Sequence, residues 1–269
     1  MQQQEEKERM GTVQLKNMPE QSYTMRESLR TLKTNIQFCG DDIKTILFTS
    51  AIPDEGKSFT VVNLARSLAD SKKRVLVLDA DMRKSIMLSR LNATREGGRI
   101  FGLSHYLSGQ KRMGDIIYTT QIPWMYIIFA GPLVPNPTEL LEKKYFEDLL
   151  TFARAHFDYI LIDCPPIGAA IDAAVIGTHC DGAVIVAAQG TVNARMLNDV
   201  KRQVSASGVK IIGAILNKVD MKKNGYYGKY YGSYYGKYYG KYYGEESDKK
   251  KKKTAAKSEK TETENAEQA

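Results

Sequence analysis

Cysteine is scarce in this chain, and its spacing excludes more than its number. Cys39, Cys164 and Cys180 are three in 269 residues and form no C-x-x-C pair. Neither a disulfide framework nor a cysteine-based zinc site is expected, and reduced thiols suit a cytoplasmic setting. Histidine is equally rare: His105, His156 and His179 share no ligand spacing, so no histidine metal site is expected. No apolar run approaches the length that spans a bilayer. The opening residues MQQQEEKERM are polar and charged, so no signal peptide is expected, and any membrane link must come through a partner or surface charge. One-signed charge is also missing from the body of the chain. The formal net charge is +8, but from Met221 onward 12 Lys face 7 Asp plus Glu, which leaves only +3 for everything before. No nucleic-acid partner is expected for so weakly basic a body.

What is present is organised around residues 45–60, TILFTSAIPDEGKSFT. Apolar and β-branched residues run into Ser50, a loop of small and turn-forming residues follows, and Gly56-Lys57-Ser58 opens a helical pattern. This reads as strand, phosphate loop, helix, because successive backbone N–H groups at a helix start converge on anionic oxygens. The expected cradle comprises Ala51, Pro53, Asp54, Glu55, Gly56, Lys57, Ser58 and Phe59. Lys57 would reach the β- and γ-phosphates and Ser58 would hold a magnesium ion. The first glycine of G-x-x-x-x-G-K-[ST] is replaced by Ala51, and Asp54-Glu55 bring negative charge where a phosphate cradle gains nothing from it.

Two further acidic strand ends complete a set. RVLVLDADMR is a buried strand ending in Asp79 and Asp81, which fall on one side because strand side chains alternate. DYILIDCPP delivers Asp163 and is then turned away by Pro165-Pro166. GAVIVAAQG reads as another strand, 194–205 as a helix, and KIIGAILNKVD as the last strand, ending in Asn217. Alternating strands and helices imply a parallel sheet with helices on both faces, whose carboxyl ends share one edge. Asn217 could there read an adenine edge with its side-chain amide. Asn136-Pro137-Thr138-Glu139 signals a helix start, with Asn136 as cap and a helix to about Ala155.

Residues 1–22 read as a flexible segment. Met25, Leu29, Leu32 and Ile36 then recur at helical spacing, while Glu27, Arg30 and Lys33 step along another face. The charged face supports either an intrahelical pair or a contact to another subunit. From Gly225 the composition changes to a four-residue repeat, Gly-x-Tyr-Tyr, holding ten of the 16 tyrosines: Tyr226, Tyr227, Tyr230, Tyr231, Tyr234, Tyr235, Tyr238, Tyr239, Tyr242 and Tyr243. Without aliphatic residues or apolar periodicity this stretch is expected to be a flexible tail, followed by the run Lys249 to Lys253.

Taken together, SAIPDEGKS, VLVLDADMR, ILIDCPP, NPTELL and the tyrosine cluster resemble the bacterial tyrosine kinases of the P-loop type, most closely the cytoplasmic form of Gram-positive capsule and exopolysaccharide systems. The resemblance implies a three-layer α/β P-loop NTPase fold, a mostly parallel sheet flanked by helices, over residues 23–221, with residues 222–269 as a disordered tyrosine- and lysine-rich tail. It implies ATP and Mg2+ as cofactors and phosphoryl transfer to the tail tyrosines of a neighbouring subunit. Lys57, Asp79, Asp81 and Arg83 would be catalytic, with Asp79 as the candidate base and exchange of roles with Asp81 left open. Ser58, Asp81 and Asp163 would hold the metal. The family's E-x-x-R-x-x-R subunit motif falls on Glu27, Arg30 and Lys33, with Lys replacing the last Arg, and Asp54 stands where the loop usually has Gly. Implied partners are a transmembrane adaptor or polysaccharide co-polymerase that recruits the kinase to the inner face of the cell membrane, a cognate phosphotyrosine phosphatase, and further copies in a ring such as an octamer. Two other readings are a partition-type ATPase and a non-catalytic nucleotide-binding partner. The first expects a signature Lys where Ile52 stands, and gives no reason for a tyrosine tail.

Overall fold

Three almost wholly buried strands build the centre of the molecule. In the computed structural model, which describes residues 10–168 and 170–220, these are β2 (Thr45–Ser50), β3 (Val75–Asp79) and β7 (Tyr159–Asp163). Every residue of β2 and β3 is buried, as expected of strands covered on both faces. The remaining strands are β1 (Gly11–Leu15), β4 (Ala93–Thr94), β5 (Tyr118–Thr120), β6 (Met125–Ile128), β8 (Gly182–Ala188) and β9 (Ile211–Asn217). The sheet runs in the order β4-β1-β5-β6-β3-β7-β2-β8-β9, parallel except for the β1–β4 and β5–β6 pairs.

Helices cover both faces. They are α1 (Tyr23–Gln37), α2 (Lys57–Ala69), α3 (Met87–Arg90), α4 (Leu103–Leu107), α5 (Pro137–Leu141), α6 (Lys144–His156), α7 (Asp172–Gly177) and α8 (Ala194–Ala206). Leu76, Leu78, Ile160 and Ile162 pack with Leu141 of α5, Phe146 and Leu149 of α6 and Val204 of α8. Val75, Val77 and Leu161 face the other way, onto Val61, Leu64 and Leu68 of α2 and Ile36 of α1. The strand period of two thus feeds two cores, and each fully buried aliphatic side chain contributes about 1.5–3 kcal/mol to holding the layers together. Because β2, β3, β7, β8 and β9 run parallel, Ser50, Asp79, Asp163, Ala188 and Asn217 all end at one edge, with Asp79 and Asp163 in direct register.

Two expectations are corrected. Residues 1–22, read as flexible, contain β1, which pairs with β4 and β5 and buries Val13 and Leu15. Its alternation of exposed Thr12 and Gln14 with buried Val13 and Leu15 is the strand pattern, confined to five residues. The helix after Asn136 does not run unbroken to Ala155: α5 ends at Leu141, and the extended Lys143 (ψ 152°) restarts it as α6. That break lets Leu140 and Leu141 reach the same core as Phe146 and Leu150. Asn136 precedes α5, but its amide donates to Glu139 Oε2 (2.6 Å) and its side chain makes no cap bond. The tail tyrosines and the lysine run lie outside the described residues.

Candidate functional site

The loop between β2 and α2 turns through two left-handed residues, Asp54 (φ 63°) and Gly56 (φ 88°). Gly56 is required twice over: it precedes α2 in a conformation L residues avoid, and a Cβ there would meet Asn217 Nδ2 at 2.1 Å. Asp54 occupies the other left-handed position, a region that Asp tolerates better than most residues. Its carboxylate faces outward to Arg90 (3.4 Å).

Glu55 has a role opposite to that expected. It is 1% exposed, and its carboxylate accepts hydrogen bonds from the backbone N–H groups of Ala51 (2.8 Å), Ile52 (3.1 Å) and Ala188 (3.1 Å). The charge that would repel a phosphate is spent inside the loop, tying its first half to the end of β8. From the other side, Asn217 Nδ2 donates to Glu55 O (2.9 Å) and Lys218 Nζ to Asp54 O (2.6 Å). Asn217 therefore stands against the loop, with its amide N–H holding backbone. Lys218 was not foreseen, although it follows Asn217 at the strand's end.

A cavity of about 150 Å³ opens over this edge and gathers Lys57, Ser58, Asp79, Asp81, Arg83 and Asp163. Lys57 is 8% exposed. Asp79 is buried and accepts hydrogen bonds from the Ser85 hydroxyl and from Asp81 N (3.2 Å). Burial first, and the charge of Asp163 second, hold its carboxyl well above the usual carboxylate range. Burial likewise pushes Asp163 up to about 6, against the pull of a Ser58 hydrogen bond and the Lys57 charge. Asp163 Oδ1 is buried without a hydrogen-bond partner, which an arriving cation would supply. Among the described residues no group of three or more His, Cys, Asp or Glu is gathered tightly enough to hold an ion alone.

Arg83, expected either at the phosphates or at a subunit contact, pairs within the chain in this structure. Its guanidinium grips buried Asp172 at the start of α7 through Nε (2.7 Å) and a second nitrogen (2.9 Å), and Thr138 of α5 donates to the same carboxylate (2.6 Å). Burial raises the Asp172 pKa, but the Arg83 and Thr138 hydrogen bonds with the Arg83 charge together outweigh it and hold it below the usual carboxylate value. Phe59 does not line the cavity with the phosphate loop; it walls a neighbouring hollow. On α1, Glu27 pairs with Arg30 one turn on (2.7 Å) and Lys33 donates to Ser71 Oγ (2.7 Å), so Arg30, with 68% of its side chain exposed, is the member most open to solvent. Nothing in the local pattern marked Asp172, 89 residues from Arg83, or Ser85, which the turn after β3 brings onto Asp79.

A phosphate cradle at the carboxyl edge of a parallel sheet, with acids delivered by the adjoining strands, is the arrangement of P-loop nucleotide-binding proteins, and the chain has that fold. Residues 43–204 match the family model described as an AAA domain. The tyrosine-protein kinase CpsD of Streptococcus agalactiae is 42% identical over 200 residues, covering 74% of this chain and 86% of that protein. The kinase domain of the Escherichia coli tyrosine kinase ETK superposes with TM-score 0.67 at 33% identity, over 72% of this chain and 76% of that one. The chimerical protein CapA2B2 gives TM-score 0.69 at 28% identity, over 78% and 93%. The chain belongs to the bacterial tyrosine-protein kinases of the P-loop type.

Proposed function

We propose that the chain is an ATP-dependent protein-tyrosine kinase that phosphorylates the tyrosine cluster of a neighbouring copy and thereby regulates capsular or extracellular polysaccharide synthesis together with a membrane adaptor. The observation that carries this reading is the juxtaposition, in one cavity, of the loop residues Lys57 and Ser58 with the buried carboxylates Asp79 and Asp163, in a chain whose sequence continues into ten clustered tyrosines.

The chemistry follows from charge and position. Lys57 and the loop N–H groups stabilise the β- and γ-phosphate oxygens as negative charge shifts toward the leaving ADP. Asp79, with its proton affinity raised by burial, accepts the tyrosine hydroxyl proton as the phenolic oxygen bonds to the γ-phosphorus and the bond to the β-phosphate oxygen breaks. Ser58 and Asp163, with Asp81 directly or through water, would hold magnesium, which supplies charge neutralisation to the phosphates. Asn217 and Lys218 fix the loop from behind. Arg83 holds the turn that carries Asp81 against α7.

Among the described residues no helix is long and apolar enough to cross a membrane. The relatedness to CpsD supports the polysaccharide role. Incubation with γ-labelled ATP and Mg2+ tests the reading. Label on tyrosines within 226–243 is the expected result, raised by the adaptor's cytoplasmic peptide. Nucleotide binding without label on tyrosine in the adaptor's presence contradicts it and favours a non-catalytic partner.

A further inference from the structure

We propose that this kinase reads tyrosine doublets: while one ring of a Tyr-Tyr pair from a second copy's tail reacts over Asp79, the adjacent ring lodges in a second hollow that shares a wall with the first. This rests on the tail being the acceptor and adds a sequence preference to it.

The second hollow measures about 220 Å³ and its walls are mainly apolar, formed by Pro19, Phe59, Val62, Met87 and Leu91. An apolar cavity of about 150 Å³ takes a benzene-sized ring, so this one has room for a tyrosine side chain. Phe59 leaves 38% of its surface exposed there, an apolar cost that a ring packed on it would relieve. The catalytic cavity and this hollow have Ser58, Met87 and Arg90 in common. They lie side by side, separated by the residues of α3 and the first turn of α2.

The tail sequence suits that pair of hollows. Its tyrosines come as five doublets, each followed directly by Gly. Neighbouring Cα atoms are about 3.8 Å apart and their side chains diverge in extended chain, so consecutive rings can straddle a thin partition where a single tyrosine could fill only one side. The glycine after each doublet lets the backbone approach the rim closely. Arg90, at the partition, can lay its guanidinium on either ring.

The test uses the full-length chain with ATP, Mg2+ and four peptides that each carry one acceptor: Gly-Lys-Phe-Tyr-Gly-Lys, Gly-Lys-Ala-Tyr-Gly-Lys, Gly-Lys-Tyr-Phe-Gly-Lys and Gly-Lys-Tyr-Ala-Gly-Lys. One Phe peptide should exceed its Ala counterpart about tenfold in kcat/KM, the effect expected for seating one ring. In Asn17→Trp, where an exposed rim residue is replaced by one large enough to fill the hollow, that ratio should fall to about one. Equal rates in the parent chain overturn the doublet reading and leave the hollow to another occupant, such as a segment of the adaptor. A ratio that survives Asn17→Trp overturns the assignment to this hollow. Label on the chain's own tail but on no peptide also counts against recognition of the doublet. Absence of label on tail and peptides alike contradicts the underlying kinase reading.

Discussion

Glu55 decides whether the phosphate loop keeps its shape. A charged residue in a cradle for anions reads as a liability, yet its carboxylate is consumed by three backbone donors and the loop gains a brace to β8. Glu55→Ala strands those buried N–H groups, and a loss of about 2 kcal/mol in unfolding free energy is expected. Urea denaturation with an unchanged midpoint would show the brace to be dispensable. The same residue shows where sequence reading stops. Gly56-Lys57-Ser58 was legible because its function depends on local backbone, whereas the partners of Glu55 include Ala188, 133 residues away. The departure at Asp54 is likewise visible in the sequence, but its reason, the left-handed turn, is visible only in the structure.

Elements were legible in proportion to their burial. β2, β3 and β7 announce themselves as apolar runs ending in Ser50, Asp79 and Asp163, and those ends are what the site needs. β1, β4 and β5, of five, two and three residues, gain their stability from pairing with strands far along the chain, and their local patterns are too short to set them apart from loop. The clamp between the turn after β3 and the start of α7 is another long-range feature. Its titration has a defined sign. The folded Asp172 pKa lies below its unfolded value of about 3.9, so the clamp contributes fully above that value and loses its contribution as pH falls through the folded pKa. Asp172→Asn should therefore cost about 2 kcal/mol at pH 7, reduced by the partial exposure of Arg83, and the difference from the parent should narrow below about pH 4. Parallel stability curves from pH 7 to pH 3 would show that the pair does not stabilise the fold. Arg83→Lys should lower phosphorylation more than stability, because lysine lacks the two-pronged grip that positions Asp81.

At the scale of the whole molecule, the body of the chain carries little net charge and the sequence after Met221 carries +5 before modification. Each phosphotyrosine adds about −1.5 to −2, so roughly three cancel that charge and ten reverse it. Copies assembled into a ring would bring these segments together, and their repulsion then opposes assembly as phosphorylation proceeds. Exposed Arg30 on α1 would be the contact to a neighbour in such a ring, while Lys33 donates to Ser71. Light scattering should give a ring mass for unphosphorylated Lys57→Met, and smaller particles for both the phosphorylated chain and Arg30→Ala. One mass for all three samples contradicts the ring.

Transfer between copies through the Lys57 site is tested most directly by mixing two forms of the full-length chain. Lys57→Met, labelled with heavy isotope, is incubated with ATP and Mg2+ alone or with the unlabelled parent, in the presence of the adaptor's cytoplasmic peptide, and phosphotyrosine is mapped by mass spectrometry. The expected result is no phosphate on the heavy chain alone and phosphate on its tyrosines 226–243 in the mixture. Phosphate on the heavy chain alone would contradict the site, and phosphate confined to the light chain in the mixture would contradict transfer to a neighbour.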